Sequence, residues 1–82
     1  MPYRLEIMPE ALRDLRALPK HLRRSVGHKI DLLQTGFSGD IKKLSLRHHE
    51  HRLRVGSLRV LFTLEINQIR IYAVKQRKEA YE

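Results

Sequence analysis

Hydrophobic side chains follow two spacings along this chain, and the change between them separates helical from extended segments. Residues 3 to 7 alternate polar and apolar side chains, which predicts a first strand. Apolar residues then recur every three or four positions, from Leu12 to Leu18 and from Leu22 to Leu33, and this spacing predicts two helices. Pro9 suits the first position of the first helix, where its missing N–H is not needed, and Pro19 ends that helix.

The second helix is predicted from about Pro19 to Thr35, with Gly36 as a left-handed cap at its end. The rest of the chain has the pattern of strands, predicted over Ile41 to Leu46, His51 to Val55, Arg59 to Ile66 and Gln68 to Val74. The turns between them are short, which favours antiparallel pairing. The sequence therefore predicts an α+β fold, in which an N-terminal strand and a two-helix hairpin pack on a mostly antiparallel sheet of four to five strands.

Alternation along the predicted strands assigns side chains to the two faces of the sheet. One parity is apolar and is predicted to lie under the helices; its members are Leu53, Val55, Val60, Phe62, Leu64, Ile69 and Ile71. Arg52, Arg54 and Arg59 have the other parity and are predicted to share an open surface. One arginine on a strand is usually part of a solvated face, but like charges across strands destabilise a sheet by up to about 1 kcal/mol per pair. Three together therefore indicate an anionic partner, and guanidinium groups bind phosphate in a bidentate manner.

Composition strengthens the expectation of an anionic partner. The 82 residues include 17 Lys and Arg against 9 Asp and Glu, a formal net charge of +8, which favours a polyanion such as RNA or DNA. The length predicts one domain over residues 1–82. With no cysteine the chain has neither disulfides nor thiolate ligands, and we expect a cytoplasmic protein. No apolar run approaches the length of a membrane span, so no membrane partner is expected.

Two other segments carry candidate chemistry. His48, His49 and His51 lie close together, but no second pair of ligands accompanies them, so solvated loop histidines are favoured over a metal site. The acidic residues are scattered and no phosphate-binding glycine loop is present, so we expect neither a metal nor another cofactor. The chain ends in a basic run, residues 75 to 81, which is either a frayed tail or a site where Tyr81 stacks on a base.

The order of these segments resembles the RelE toxins of the RelE/ParE superfamily, and the resemblance covers essentially the whole chain. Its most specific part is the hairpin from Arg52 to Phe62, R-x-R-x-G followed by x-R-x-x-F, together with a terminal Arg77 and Tyr81. The segments YRLEI at residues 3–7 and KKL at residues 42–44 also match.

The resemblance implies a toxin that is neutralised by a RelB-like antitoxin and that enters the ribosomal A site to cleave mRNA without a metal. In that reaction the ribose 2′-hydroxyl attacks the adjacent phosphate, leaving a 2′,3′-cyclic phosphate and a 5′-hydroxyl. The matching positions imply a basic pair at Arg52 and Arg54, a phosphate-binding Arg59, and a terminal catalytic pair, Arg77 and Tyr81. The lysines expected to contact RNA, in addition to the arginines, are Lys42, Lys43, Lys75 and Lys78.

The general base differs from the family pattern. Better-known members have Lys where this chain has Arg52 and Arg54, and an arginine cannot usefully lose its proton. Tyr81 is one candidate base, His49 or His51 is another, and positioning by the ribosome without a protein base is a third.

Two other functions fit parts of the sequence. A ParE-like inhibitor that binds DNA gyrase would share the fold, but such proteins generally lack the complete set Arg59, Arg77 and Tyr81. A general RNA-binding module would explain the charge, yet little exposed aromatic surface is predicted.

Overall fold

A computed structural model of the chain describes residues 3–45 and 48–76. Two helices and five strands follow one another in the order β1 (Arg4–Ile7), α1 (Pro9–Arg16), α2 (Lys20–Gly36), β2 (Asp40–Ser45), β3 (Glu50–Val55), β4 (Leu58–Glu65) and β5 (Gln68–Gln76). The predicted α+β fold is confirmed, with Pro9 at the start of α1. The predicted end of β2 at Leu46 falls outside the described residues.

The five strands form one mixed sheet in the order β1-β5-β4-β3-β2. Three consecutive antiparallel pairings join β2, β3, β4 and β5, as the short turns predicted. β1 lies parallel to β5, with Leu5 opposite Ile69, so the first and last strands are neighbours. No helix in the described part of the chain is long and apolar enough to cross a membrane.

Both helices pack on one face of the sheet. α1 buries Ala11 and Leu15, and α2 buries Val26, Ile30 and Leu33. The predicted core parity is confirmed: its fully buried members are Leu53, Val60, Phe62, Ile69 and Ile71, and the half-buried Val55 and Leu64 pack against them. Neither α1 nor α2 therefore lies over the opposite face of the sheet.

The C-terminal end of α2 differs from the prediction by one residue. Gly36 is the last helical residue, and Phe37 adopts the left-handed conformation, with φ 49° and ψ 43°. The Phe37 ring lies 5.8 Å from Tyr3, 6.2 Å from His51 and 6.3 Å from Phe62, centroid to centroid. These aromatic contacts offset the backbone strain that a side chain incurs at positive φ.

A β-bulge interrupts the pairing of β4 and β5. Leu61 lies opposite Ala73 and Phe62 opposite Ile71, so Tyr72 is an extra residue on β5. The bulge lets both Ile71 and Val74 enter the core, and it places Lys75 opposite Arg59.

Candidate nucleic-acid interface

The β3–β4 hairpin brings the three predicted arginines together on the sheet face away from α1 and α2. Arg54 lies directly opposite Arg59, and Arg52 is two residues from Arg54 on the same strand face. Gly56, in the turn that joins the strands, has φ +59°, a conformation that favours glycine. The turn therefore fixes the register that sets Arg54 against Arg59. We call Arg52, Arg54 and Arg59 the arginine cluster.

Arg59 is buried, whereas the sequence predicted it on an open surface. It is 6% exposed, because β4 is a central strand with neighbours on both sides. Its Nη1 atom donates to the carbonyls of Gly56 and Leu58, each at 3.0 Å. Its Nε atom is buried and has no hydrogen-bond acceptor among the described residues. No carboxylate in the described part of the chain forms an ion pair with this guanidinium.

Asp40 on β2 is a member of the site that the sequence did not predict. Its Oδ1 atom accepts from Arg52 Nη1 and its Oδ2 atom pairs with Arg54 Nε, both at 3.1 Å. The hydrogen bond from Arg52, together with the charges of Arg52, Arg54 and Arg59, lowers the pKa of Asp40 from its ordinary value of 3.8. No sequence pattern near Asp40 identifies it as a site residue. It contacts the arginines only because the register of β2 and β3 places it opposite Arg54.

The ion pairs of Asp40 show that the arginine cluster binds an anionic group of the chain itself. Arg52 is held more closely than Arg54, because its Nη1 also donates to the Asp40 carbonyl at 2.8 Å and its side chain is only 13% exposed. The Arg54 and Asp40 side chains are 55% and 51% exposed, so a phosphate can reach this pair from solvent.

The predicted RNA-binding lysines lie in different surroundings. Lys42 is exposed opposite Arg52, on the face of the arginine cluster. Lys43 lies opposite His51 and therefore on the other face of the sheet. Lys75 Nζ lies 3.4 Å from Asp14 and from Glu10 on α1. Burial alone would lower the pKa of Lys75, but these two carboxylates raise it above its ordinary value.

The two histidines considered as a base lie away from the arginine cluster. His51 is 6% exposed on the helix-covered face, stacked on Phe62 at 5.3 Å, and its Nδ1 atom lies 3.0 Å from the His49 carbonyl. His49 lies in the turn before β3 and lines an open groove with Tyr3 and Leu64. Leu64 is five residues from Arg59 along β4, roughly 16 Å at the rise of a strand. Among the described residues, no three His, Asp or Glu side chains are grouped so that they could hold a metal.

Arg77, Lys78 and Tyr81 lie outside the described residues. The last described residues of β5 end beside the cluster, since Lys75 lies opposite Arg59 and Gln76 opposite Leu58.

Known structures share this fold. The chain is similar to RelE in the archaeal RelE–RelB complex from Pyrococcus horikoshii, with a TM-score of 0.81 and 27% identity over 94% of this chain and 97% of that one. The RelB–RelE antitoxin–toxin complex from Methanococcus jannaschii matches with a TM-score of 0.77 and 26% identity, over 93% and 94% of the two chains. A mutant of the Escherichia coli toxin RelE in the free state matches with a TM-score of 0.79 and 19% identity, over 99% and 88%.

No protein-family model matches the sequence, and no curated protein matches it. The structural matches nevertheless confirm the resemblance to RelE toxins, over nearly the full length of both chains.

Proposed function

For this chain with the fold of the RelE toxins, we propose the function of a toxin in a type II toxin–antitoxin system that cleaves mRNA on the ribosome. The arginine cluster carries the proposal: three guanidinium groups meet on the sheet face that neither α1 nor α2 covers, and Asp40 forms ion pairs with two of them, Arg52 and Arg54. Similarity to archaeal toxins crystallised with their antitoxins supports the toxin assignment. The proposed site of action is the cytoplasm, where ribosomes translate.

The proposed reaction is transesterification within the mRNA. The 2′-oxygen of one ribose attacks the adjacent phosphorus, and the bond from phosphorus to the 5′-oxygen of the next nucleotide breaks. The 2′-hydroxyl loses a proton, the leaving 5′-oxygen gains one, and the products are a 2′,3′-cyclic phosphate and a 5′-hydroxyl. Negative charge accumulates on the non-bridging oxygens in the transition state, and fixed cations lower its energy.

We assign that stabilisation first to Arg59. Its Nη1 atom donates hydrogen bonds to two backbone carbonyls, which hold the guanidinium in place. The side chain therefore needs little reorganisation when the phosphate binds. Arg54 is exposed enough to bind the incoming phosphate directly, and Arg52 and Lys42 extend the basic surface toward β2. Arg77 remains a proposed second stabiliser.

The general base is proposed to be Tyr81 or to be dispensable, and His51 is the weakest candidate. His51 lies on the helix-covered face, so it would have to leave its stacking contact with Phe62 to reach a substrate at the arginines. Arginines around a tyrosine would lower its pKa toward the range of a base. Full cleavage by Tyr81→Phe would contradict this role, and full cleavage by His49→Ala/His51→Ala would exclude both histidines.

The proposed antitoxin is an acidic segment that wraps this basic chain. A formal charge of +8 favours an acidic partner, and a disordered segment that orders on binding can cover a large surface. We expect a stable complex with a RelB-like protein. High-yield expression of the chain alone, without slower growth of the host, would contradict the proposal of a toxin.

Primer extension on mRNA in a translating extract tests the enzyme assignment. The natural chain should give cuts within codons at the ribosomal A site, and Arg59→Ala should lower the cleavage rate by 10²-fold or more, the scale of losing a transition-state hydrogen-bond donor. Arg4→Ala is the matched control, because Arg4 is exposed on β1, at the other end of the same sheet face. Intact mRNA together with gyrase-dependent DNA damage would favour a ParE-like inhibitor instead.

A further inference from the structure

The helical hairpin carries a second basic surface, on the side of the molecule opposite the arginine cluster. We call it the hairpin basic surface; its exposed members are Arg13, Arg16, Lys20, Arg23 and Arg24. None of these side chains forms an ion pair within the described part of the chain. The acidic side chains of α1 are engaged elsewhere, since Glu10 and Asp14 both pair with Lys75.

Lys20 and Arg23 lie at positions that are unfavourable for α2. The first turn of α2 has no acidic residue, and Lys20 and Arg23 occupy it instead. The positive end of a helix dipole favours anionic side chains and repels cations. Helix stability therefore does not account for Lys20 and Arg23, whereas Arg13 and Arg16 lie in the last turn of α1, where the helix dipole favours cations.

A shallow depression lies between Lys20, Arg23 and Arg24, and Gly27 follows on the same side of α2, one turn later. A Cβ atom at Gly27 would meet nothing within 4 Å, so no packing contact requires a glycine there. Glycine inside a helix is destabilising relative to alanine. Because Gly27 has no side chain, the helix surface beside Arg23 and Arg24 leaves room for the backbone of a bound molecule to approach closely.

We propose that the hairpin basic surface binds the phosphate backbone of double-stranded RNA. Four of its five cations are arginines, which bind phosphate in a bidentate manner. Lys20 and Arg24 lie one turn apart on the same side of α2, about 6 Å along the helix axis, and Arg13 and Arg16 add two cations on α1, so the surface can contact more than one phosphate. This site is separate from the cleavage site, and the inference does not depend on nuclease activity.

The chemistry of the surface favours a duplex over other anionic partners. The helical hairpin contains no Phe, Tyr or Trp between Pro9 and Gly36, so the imidazoles of His21 and His28 are its only aromatic rings for stacking the bases of single-stranded RNA. An interfacial membrane helix needs an exposed apolar face, and the hairpin exposes one large apolar side chain among its described residues, Leu12.

Equilibrium binding of the full chain to an RNA duplex tests the inference. The probe is a fluorescent RNA hairpin of about 16 base pairs, the length that common duplex-binding domains span, with 2′-O-methyl riboses to prevent cleavage. Arg23→Gln/Arg24→Gln should weaken binding at least tenfold. The dependence of log K on log salt should become shallower by about 1.8, because each lost phosphate contact removes about 0.9 from the slope.

The matched control is Arg4→Gln/Arg70→Gln, which removes the same charge from β1 and β5, away from the arginine cluster. It should weaken duplex binding less than threefold. Gly27→Leu keeps every charge and should weaken binding at least fivefold while leaving the melting temperature equal or higher, since leucine favours helix.

Equal losses in both double variants would overturn the inference, because net charge alone would then explain the binding. It would also be overturned if Arg23→Gln/Arg24→Gln kept its duplex affinity and lost binding to phosphatidylglycerol vesicles. Duplex binding that depends on Arg23 and Arg24 in a chain that cleaves no mRNA would support the inference and contradict the proposed enzyme.

Discussion

Arg59 keeps a guanidinium within the central strand of the sheet. Among the described residues, two neutral carbonyls accept hydrogen bonds from it, and its buried Nε atom has no acceptor. Removing a charge from water costs several kcal/mol unless a counter-charge offsets it, and apolar replacements of buried ionic groups are often neutral or stabilising. At Arg59, the proposed chemistry therefore requires a charged side chain, whereas the stability of the fold favours an uncharged one.

Replacing Arg59 with methionine should separate those two requirements. We expect Arg59→Met to leave the free energy of unfolding within about 1 kcal/mol of the natural chain, or to raise it, because the buried charge is removed and the volume is largely kept. Cleavage of ribosome-bound mRNA should fall by 10²-fold or more. Chemical denaturation and primer extension measure the two effects, and a loss of stability well beyond 1 kcal/mol would mean that Arg59 is structural.

The Asp40 carboxylate should compete with RNA for the arginines of the cluster, and Asp40→Asn should remove this competition. The variant keeps the side-chain shape but loses the negative charge that pairs with Arg52 and Arg54. Binding of 2′-O-methyl single-stranded RNA should tighten by several-fold, as measured by fluorescence anisotropy. Weaker binding would instead indicate that Asp40 holds the arginines in the geometry that RNA requires.

The same carboxylate gives a pH dependence with a definite sign. Because the pKa of Asp40 is lowered in the folded chain, its stabilising effect is complete above the ordinary value of 3.8 and is lost as pH falls through the lower folded value. The difference in melting temperature between the natural chain and Asp40→Asn should therefore be constant near neutrality and vanish in stronger acid. A difference that keeps its neutral-pH size at every acidic pH at which both chains still fold would contradict it.

At the scale of the elements, the end of α2 depends on an aromatic residue in a conformation that favours glycine. Phe37→Ala should lose the contacts with Tyr3, His51 and Phe62 and keep the strain at φ 49°, whereas Phe37→Gly loses the contacts and relieves the strain. We expect the glycine variant to be about 1 kcal/mol more stable than the alanine variant, although both are less stable than the natural chain. Urea denaturation measures this order, and alanine above glycine would contradict it.

Asp14 connects α1 to the end of β5. Its Oδ2 atom accepts from the Val74 N–H at 2.9 Å, and Val74 is 5% exposed. Asp14→Ala should lower the free energy of unfolding by about 1–3 kcal/mol, because it leaves a buried donor unpaired.

Asp14→Asn is the matched control for the Val74 hydrogen bond, since its amide oxygen can still accept it. We expect most of the stability to return in this variant. Cleavage should follow the same order, because β5 leads directly into Arg77 and ends beside Arg59. If Asp14→Asn is as unstable as Asp14→Ala, the charge contact with Lys75 is the main interaction.

The hydrophobic periodicity of the sequence predicted the individual helices and the faces of the strands. It could not predict features that arise only when distant strands pair. The spacing of Val26, Ile30 and Leu33 was sufficient for α2, and strand parity placed Arg52 and Arg54 away from the helices. The parallel partnership of β1 with β5, the bulge at Tyr72 and the position of Asp40 all depend on the register between distant segments. Burial of Arg59 likewise follows from the central place of β4 in the sheet, which no local pattern encodes.

At the scale of the whole molecule, the formal charge of +8 is divided between two layers. The arginine cluster lies on the open sheet face, and the hairpin basic surface lies on the outer side of the helices, with the hydrophobic core between them. The chain measures 32 × 28 × 23 Å along its principal axes, so a folded RNA can contact both layers only by passing around an edge of the molecule.

The two basic layers should therefore contribute independently to the binding of an RNA that carries a duplex and a single-stranded tail. Sites more than about 7–10 Å apart with no shared partners usually add within about 0.5 kcal/mol. We expect the free-energy changes of Arg54→Gln and Arg24→Gln to add within that margin in the double variant. Titrations of a 2′-O-methyl hairpin with a tail of several nucleotides measure all four states of the cycle. A coupling above about 1 kcal/mol would show that both arginines contact the same segment of RNA, which would contradict the separation of the two surfaces.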